Sequence, residues 1–171
     1  DTEALDAFEL AYGTRVLPTY DFAKAEVIVS VGADFLGDWQ GGGHSAGYAK
    51  GRIPSKHHGK ATMSKHYQFE SNMTLSGASA DVRVPLTPSA QKPLLAAIYA
   101  SLKGKADVAD FSPKTAAQVK TAIKQLQRAG KNAVVVTGLP SVDAQRMALA
   151  INELLKSRVI DTQHTTTIRQ G

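Results

Sequence analysis

The chain has 171 residues, 43% apolar and 20% charged, which is the balance of a folded globular chain long enough for one ordinary core. Zero cysteines exclude disulfides, thiolate-held zinc, Cys-bound iron–sulfur clusters and a Cys nucleophile. The net charge of +5 lies largely in lysines at 50–65 and 103–131 with few aromatics among them, so the stacking platforms of a nucleic-acid binder are missing and none is expected.

The amino end, Asp1-Thr-Glu-Ala-Leu-Asp6, is acidic and lacks the basic and apolar regions of a signal peptide. The chain does not start with Met, so a longer precursor is expected. Leu5, Phe8 and Tyr12 predict a helix over 2–12 that stops at Gly13. Residues 14–20, with Pro18, read as an extended link, and Asp21 caps one turn through Ala25. The β-branched run Val27–Val31 then predicts a buried strand that ends at Gly32. Residues 40–64 read as one long flexible surface loop, with a single helical turn near 46–50 and Pro54 beyond it. A loop of this length is expected to face a partner.

Lys65–Glu70 predicts a second strand with Tyr67 and Phe69 on one face. Residues 76–81 are a turn or short helix. Residues 82–86 form a short strand, which Pro85 assigns to a sheet edge or a strand end. Leu94, Leu95, Ile98 and Leu102 mark a helix with Pro93 in its first turn, and 107–111 is a link. Ser112-Pro113 opens a helix that turns Val119, Ile123 and Leu126 inward and ends at Gly130. Residues 133–137 form a strand that meets Gly138. Ser141 or Asp143 starts a last helix with Met147, Ile151, Leu154 and Leu155 inward, and the tail 165–171 is neither capped nor apolar. Buried strands alternating with amphipathic helices predict an α/β fold of three layers, α/β/α, around a mostly parallel sheet. No run reaches the ~18 uncharged apolar residues of a membrane span.

The crevice beyond the carboxyl ends of parallel strands is where such folds hold ligands. Gly32 and Gly37 lie five apart and lack the G-x-G-x-x-G spacing, and no P-loop or G-x-S-x-G elbow occurs. Glycines after strands are accounted for by the turn itself. Asp34 and Asp38 flank the first strand end as possible acids or bases, or as loop-ordering hydrogen bonders. Histidines 44, 57, 58, 66 and 164 lack the spacing of a metal site on rigid elements, and solvated loop positions fit the adjacent pair. Asp81 and Arg83 are spaced to pair with each other. No convincing catalytic set emerges.

Two blocks, Tyr20 to Gly37 and Met63 to Ser89, together with Ala133 to Leu139 and Thr167 to Gly171, resemble the molybdopterin oxidoreductase superfamily. Within it they are similar to the large molybdopterin-like/iron–sulfur subunit of bacterial alternative complex III, a quinol-oxidising respiratory complex. The resemblance implies that residues 1–171 are a portion of one molybdopterin-oxidoreductase-like α/β domain. In active relatives the strand-end loops hold a molybdopterin guanine dinucleotide. Here the first loop keeps Gly32 and Asp34, the second reads Phe69-Glu70-Ser71-Asn72, and the third reads Thr87-Pro88-Ser89-Ala90 and lacks the acid that accepts hydrogen bonds from guanine. An unpaired donor edge costs about 1–3 kcal/mol, so no cofactor is expected, and Gly32, Asp34, Glu70 and Ser71 are candidates for a vestigial pocket. The iron–sulfur clusters of that large subunit belong to a Cys-rich part elsewhere.

The expected role is structural, in a membrane-associated electron-transfer complex on the extracytoplasmic (periplasmic) side, with iron–sulfur, haem and membrane subunits as partners. The alternatives are a fragment of a working molybdenum enzyme, with those four residues lining its nucleotide pocket, and a free-standing nucleotide or nucleic-acid binder.

Overall fold

The computed structural model describes residues 1–53, 55–57, 60–105 and 110–166, with the backbone alone at 55–57 and 60–62. Pro54, His58, most of the expected link 107–111 and the tail from 167 lie outside the described residues.

The first helix forms over Thr2–Tyr12 (α1), and Gly13 stops it at φ +85°, a left-handed conformation that glycine adopts without strain. The stretch expected as a link contains a strand, Leu17–Tyr20 (β1). Asp21 accepts from Ala23 N and caps a 3-10 turn over Phe22–Lys24. Val27–Val31 (β2) follows, buried at every residue. Within 40–64 a helix, Ser45–Arg52 (α2), and a hairpin of Ser55–His57 (β3) with Lys60–Thr62 (β4) take the place of the expected flexible loop.

Lys65–Glu70 (β5) leads through Leu75–Ser79 (α3) to Val82–Pro85 (β6). The next helix, Pro88–Leu102 (α4), starts earlier than expected: Pro88 takes the first helical position and Pro93 falls in the second turn. Pro113–Ala129 (α5) is capped by the Ser112 hydroxyl and ends at Gly130, and Ala133–Thr137 (β7) follows. Ser141 caps Val142–Leu155 (α6), where Asn152 and Gln145 are buried while Leu154, expected inside, is 40% exposed. The last strand, Ile160–Thr166 (β8), lies partly in the stretch expected as a bare tail.

Strands β2, β5, β6 and β7 form a parallel sheet in the order β6-β5-β2-β7. Parallel sheets are stable with both faces covered, and the burial pattern shows how this happens. One face packs Val29, Val31, Tyr67 and Phe69 against Leu94, Leu95, Leu126 and Ile151 of α4, α5 and α6. The other packs Ile28, Val134 and Val136 against Phe22, Phe35, Trp39 and Tyr48. The fold is therefore three-layered α/β/α. Outside the sheet, β1 and β8 pair as an antiparallel ribbon, and α1 sets Phe8 against Leu149 of α6.

Pro85 lies on the edge strand β6, as expected. At the opposite edge, β7, one side chain takes both backbone groups of Val135. Asn152 Nδ2 donates to Val135 O, and its Oδ1 accepts from Val135 N, both at 2.9 Å. The amide mimics a neighbouring strand and leaves no open backbone pair at that position.

Candidate functional site

The chain leaves β2 toward β5 on one side, and β7 lies on the other, so the β2/β7 boundary is the switch point where an open α/β sheet offers its ligand crevice. Here the crevice is filled from within. Trp39, in the loop after β2, donates from Nε1 to Thr137 O at 3.1 Å. Gln145 of α6 donates to the same oxygen at 3.0 Å and to Leu139 O at 3.1 Å. The Thr137 hydroxyl donates to Val31 O at 2.8 Å and accepts from Leu139 N at 3.2 Å. Gly138 follows directly and lies so close to the β2 turn that a Cβ there would overlap the Gly32 carbonyl oxygen. Between Tyr20, Trp39, Gln40 and Gln145 a void of about 10 Å³ remains, enough for one water molecule.

The four candidate pocket residues are committed to neighbours in the fold, apart from Ser71. Gly32, at φ +69°, has the Gln91 carboxamide directly above it: a Cβ would stand 2.5 Å from Oε1. Asp34 Oδ1 accepts from Ser76 N at 3.0 Å and from the Ser76 hydroxyl at 2.7 Å. Glu70 is 3% exposed. Its Oε1 accepts from Thr74 N at 3.2 Å and Arg83 Nε at 3.0 Å, and its Oε2 from Thr74 Oγ1 at 2.7 Å and Gln68 Nε2 at 3.2 Å. The structure thus brings Asp34 and Glu70 to the same place, the amino-terminal turn of α3, where both carboxylates bind free helix N–H groups. Ser71 is exposed and stands apart from this clamp. Pro88, in the third of the loops compared above, serves as the first residue of α4.

Asp81 and Arg83 do not pair with each other. Arg83 reaches across to Glu70 on the adjacent strand, whereas Asp81 takes Arg52 of α2 in a two-pronged ion pair at 2.5 and 2.8 Å. Asp81 also accepts from His66 N at 2.7 Å. Burial alone would raise the Asp81 carboxyl, but Arg52 and the His66 N–H outweigh it and hold the group below the usual range.

Behind these contacts runs a buried polar chain that the sequence pattern alone does not identify. Ser30, His66, Gln68 and Glu70 occupy the sheet face opposite Tyr67 and Phe69. Gln68 uses both amide hydrogens, on Ala33 O at 3.0 Å and on Glu70, so its Oε1 must accept from His66 Nε2 at 2.8 Å. The proton therefore sits on Nε2, and Nδ1 lies 3.1 Å from the Tyr48 hydroxyl, whose one hydrogen is shared with Ser79 O at 3.1 Å. Burial pulls the His66 imidazole down to about 4, so it is neutral near pH 7. The period-2 alternation in Lys65–Glu70 does put these polar residues on one face. That this face is buried depends on α2 and the loop after β2.

Among the described residues no three His, Asp or Glu side chains gather to hold a metal ion. His44 packs edge-on to Phe22, and burial lowers its imidazole. His164 is paired with Asp161 at 2.6 Å on an exposed strand. The side chains of His57 and His58 lie outside the described residues, and Asp38 is exposed. A guanine nucleotide at these strand ends needs an acceptor facing outward and room beside it. Asp34 and Glu70 face inward and Trp39 and Gln145 take the space, so the residues present do not fit that group. Comparisons with models of known protein families and with curated proteins find no match to the chain.

Proposed function

We propose that this chain is a cofactor-free structural module of a membrane-associated, quinol-oxidising respiratory complex, serving as a scaffold for neighbouring iron–sulfur, haem and membrane subunits on the extracytoplasmic side. The observation that carries the scaffold role is the filled switch point, where Trp39 and Gln145 both bind Thr137 O and close the place a nucleotide would enter. The clamp of Asp34 and Glu70 on α3 points the same way, because polar groups that serve catalysis are left able to meet a substrate. The identity of the complex rests on the blocks Tyr20 to Gly37 and Met63 to Ser89. Met73 and Leu75, 63% and 60% exposed beside the carboxyl end of β5, offer apolar anchors to a neighbouring subunit.

The test is native purification of the parent complex, with metal and pterin analysis and cross-linking mass spectrometry. The expected result is co-purification with iron–sulfur and haem subunits, no molybdenum or pterin guanine dinucleotide on this chain, and cross-links from the α3 side to a sibling subunit. A guanine dinucleotide bound at the strand ends would instead establish the working molybdenum enzyme.

A further inference from the structure

A second cavity lies at the opposite end of the sheet, where β2 and β5 begin. It measures about 280 Å³, near the lower end of the range for small-ligand sites, and Lys24, Lys50, Ile53, Met63, Ser64 and Arg158 line it along with Glu26. These residues come from separate parts of the chain: the 3-10 turn, the end of α2, the start of β5 and the segment after α6. Ile53 and Met63 are 66% and 50% exposed and give the cavity an apolar rim.

Ser64 is 3% exposed, yet its hydroxyl has no hydrogen-bond partner among the described residues. Its backbone is fully used, with N bonded to Gly51 O at 3.0 Å and O accepting from Arg52. A buried hydroxyl with no partner is uncommon, because leaving one unsatisfied is costly, and it marks a place where a further acceptor belongs. Of the cations, Lys24 is compensated by Asp21 at 3.9 Å and Glu26 offsets another, so about one positive charge is left over. Arg158 Nε is held by Asn132 Oδ1 at 2.6 Å, which fixes its guanidinium while leaving both terminal nitrogens available.

We infer that this cavity binds a small organic monocarboxylate: the acid meets Ser64, Lys50 and Arg158, and a short apolar body lies against Ile53 and Met63. The inference is independent of the scaffold role, since it concerns the other end of the sheet. The test is titration of the ¹⁵N-labelled chain with butyrate, following amide resonances at constant ionic strength. Saturable shifts at Lys24, Gly51 and Ser64 are expected, with acetate several-fold weaker because it lacks the body that meets the rim. Ser64→Ala is expected to weaken butyrate binding about tenfold, the usual effect of losing a hydrogen bond to a charged group. Lys50→Gln with Arg158→Gln, both at exposed positions, is expected to abolish saturation without disturbing the fold. Shifts that chloride reproduces, tighter binding of phosphate or succinate than of butyrate, or unchanged affinity in both variants would each overturn the proposal.

Discussion

His66 shows how one buried side chain sets the acid sensitivity of the molecule. Its imidazole is fully buried and titrates near 4, against an ordinary value of about 6.5 in the unfolded chain. Between those values the unfolded chain takes up a proton that the folded chain refuses. Its contribution is therefore complete above pH 6.5 and is lost as pH falls toward 4, by about 3 kcal/mol in all. Urea unfolding at pH 7 and pH 4.5 is expected to show a loss in the wild type about 2–3 kcal/mol larger than in His66→Gln, which has no such proton. Equal losses would mean that His66 is solvated. The residue types of this network were legible in the sequence but their partners were not. Arg83 looked two residues back to Asp81. Its true partner, Glu70, lies on the adjacent strand, diagonal to it in a register that pairs Gln68 with Arg83. Pairing of that kind depends on strand order, which local spacing does not report.

At the level of elements, Asn152 carries more than its size suggests. Replacing it with Ala leaves Val135 N and O buried without partners, at about 1–3 kcal/mol each. Asn152→Ala is expected to lower stability by about 2–4 kcal/mol and to raise light scattering on storage, as the uncovered β7 edge finds other chains. An unchanged urea midpoint would show that water replaces the amide. The helices capped by Ser112 and Ser141 were legible because their signals are local. Strands β1 and β8 were not, since β8 reads Ile-Asp-Thr-Gln-His-Thr-Thr with no clear apolar alternation and its partner lies far away in the chain. The sequence of α2 reads as no more than a single turn within a loop because of Gly47 and Gly51. Of the two, Gly51 is there for close approach: a Cβ at that position would stand 3.0 Å from Phe22 O.

Across the whole molecule, the two sides of the switch point are held by residues about a hundred positions apart, since Trp39 follows β2 while Thr137 ends β7. The sequence marks this strand end as the place for a ligand crevice, yet whether the crevice is open or filled depends on that long-range contact. Trp39 is 8% exposed, and Trp39→Ala is expected to cost about 3–5 kcal/mol, the usual range for removing a large buried aromatic. Urea denaturation measures the loss, and faster amide exchange at Gly138 would place it at the crevice. Retention of wild-type stability would mean that the indole is not part of the core.

The ribbon of β1 and β8 joins Leu17 to Thr166 at one end and Tyr20 to Ile160 at the other. Tension applied at Leu17 and Thr166 therefore loads the rungs singly, and the ribbon opens like a zipper instead of resisting in shear. A load applied at those two residues is therefore spent there, rung by rung, before it reaches the four parallel strands.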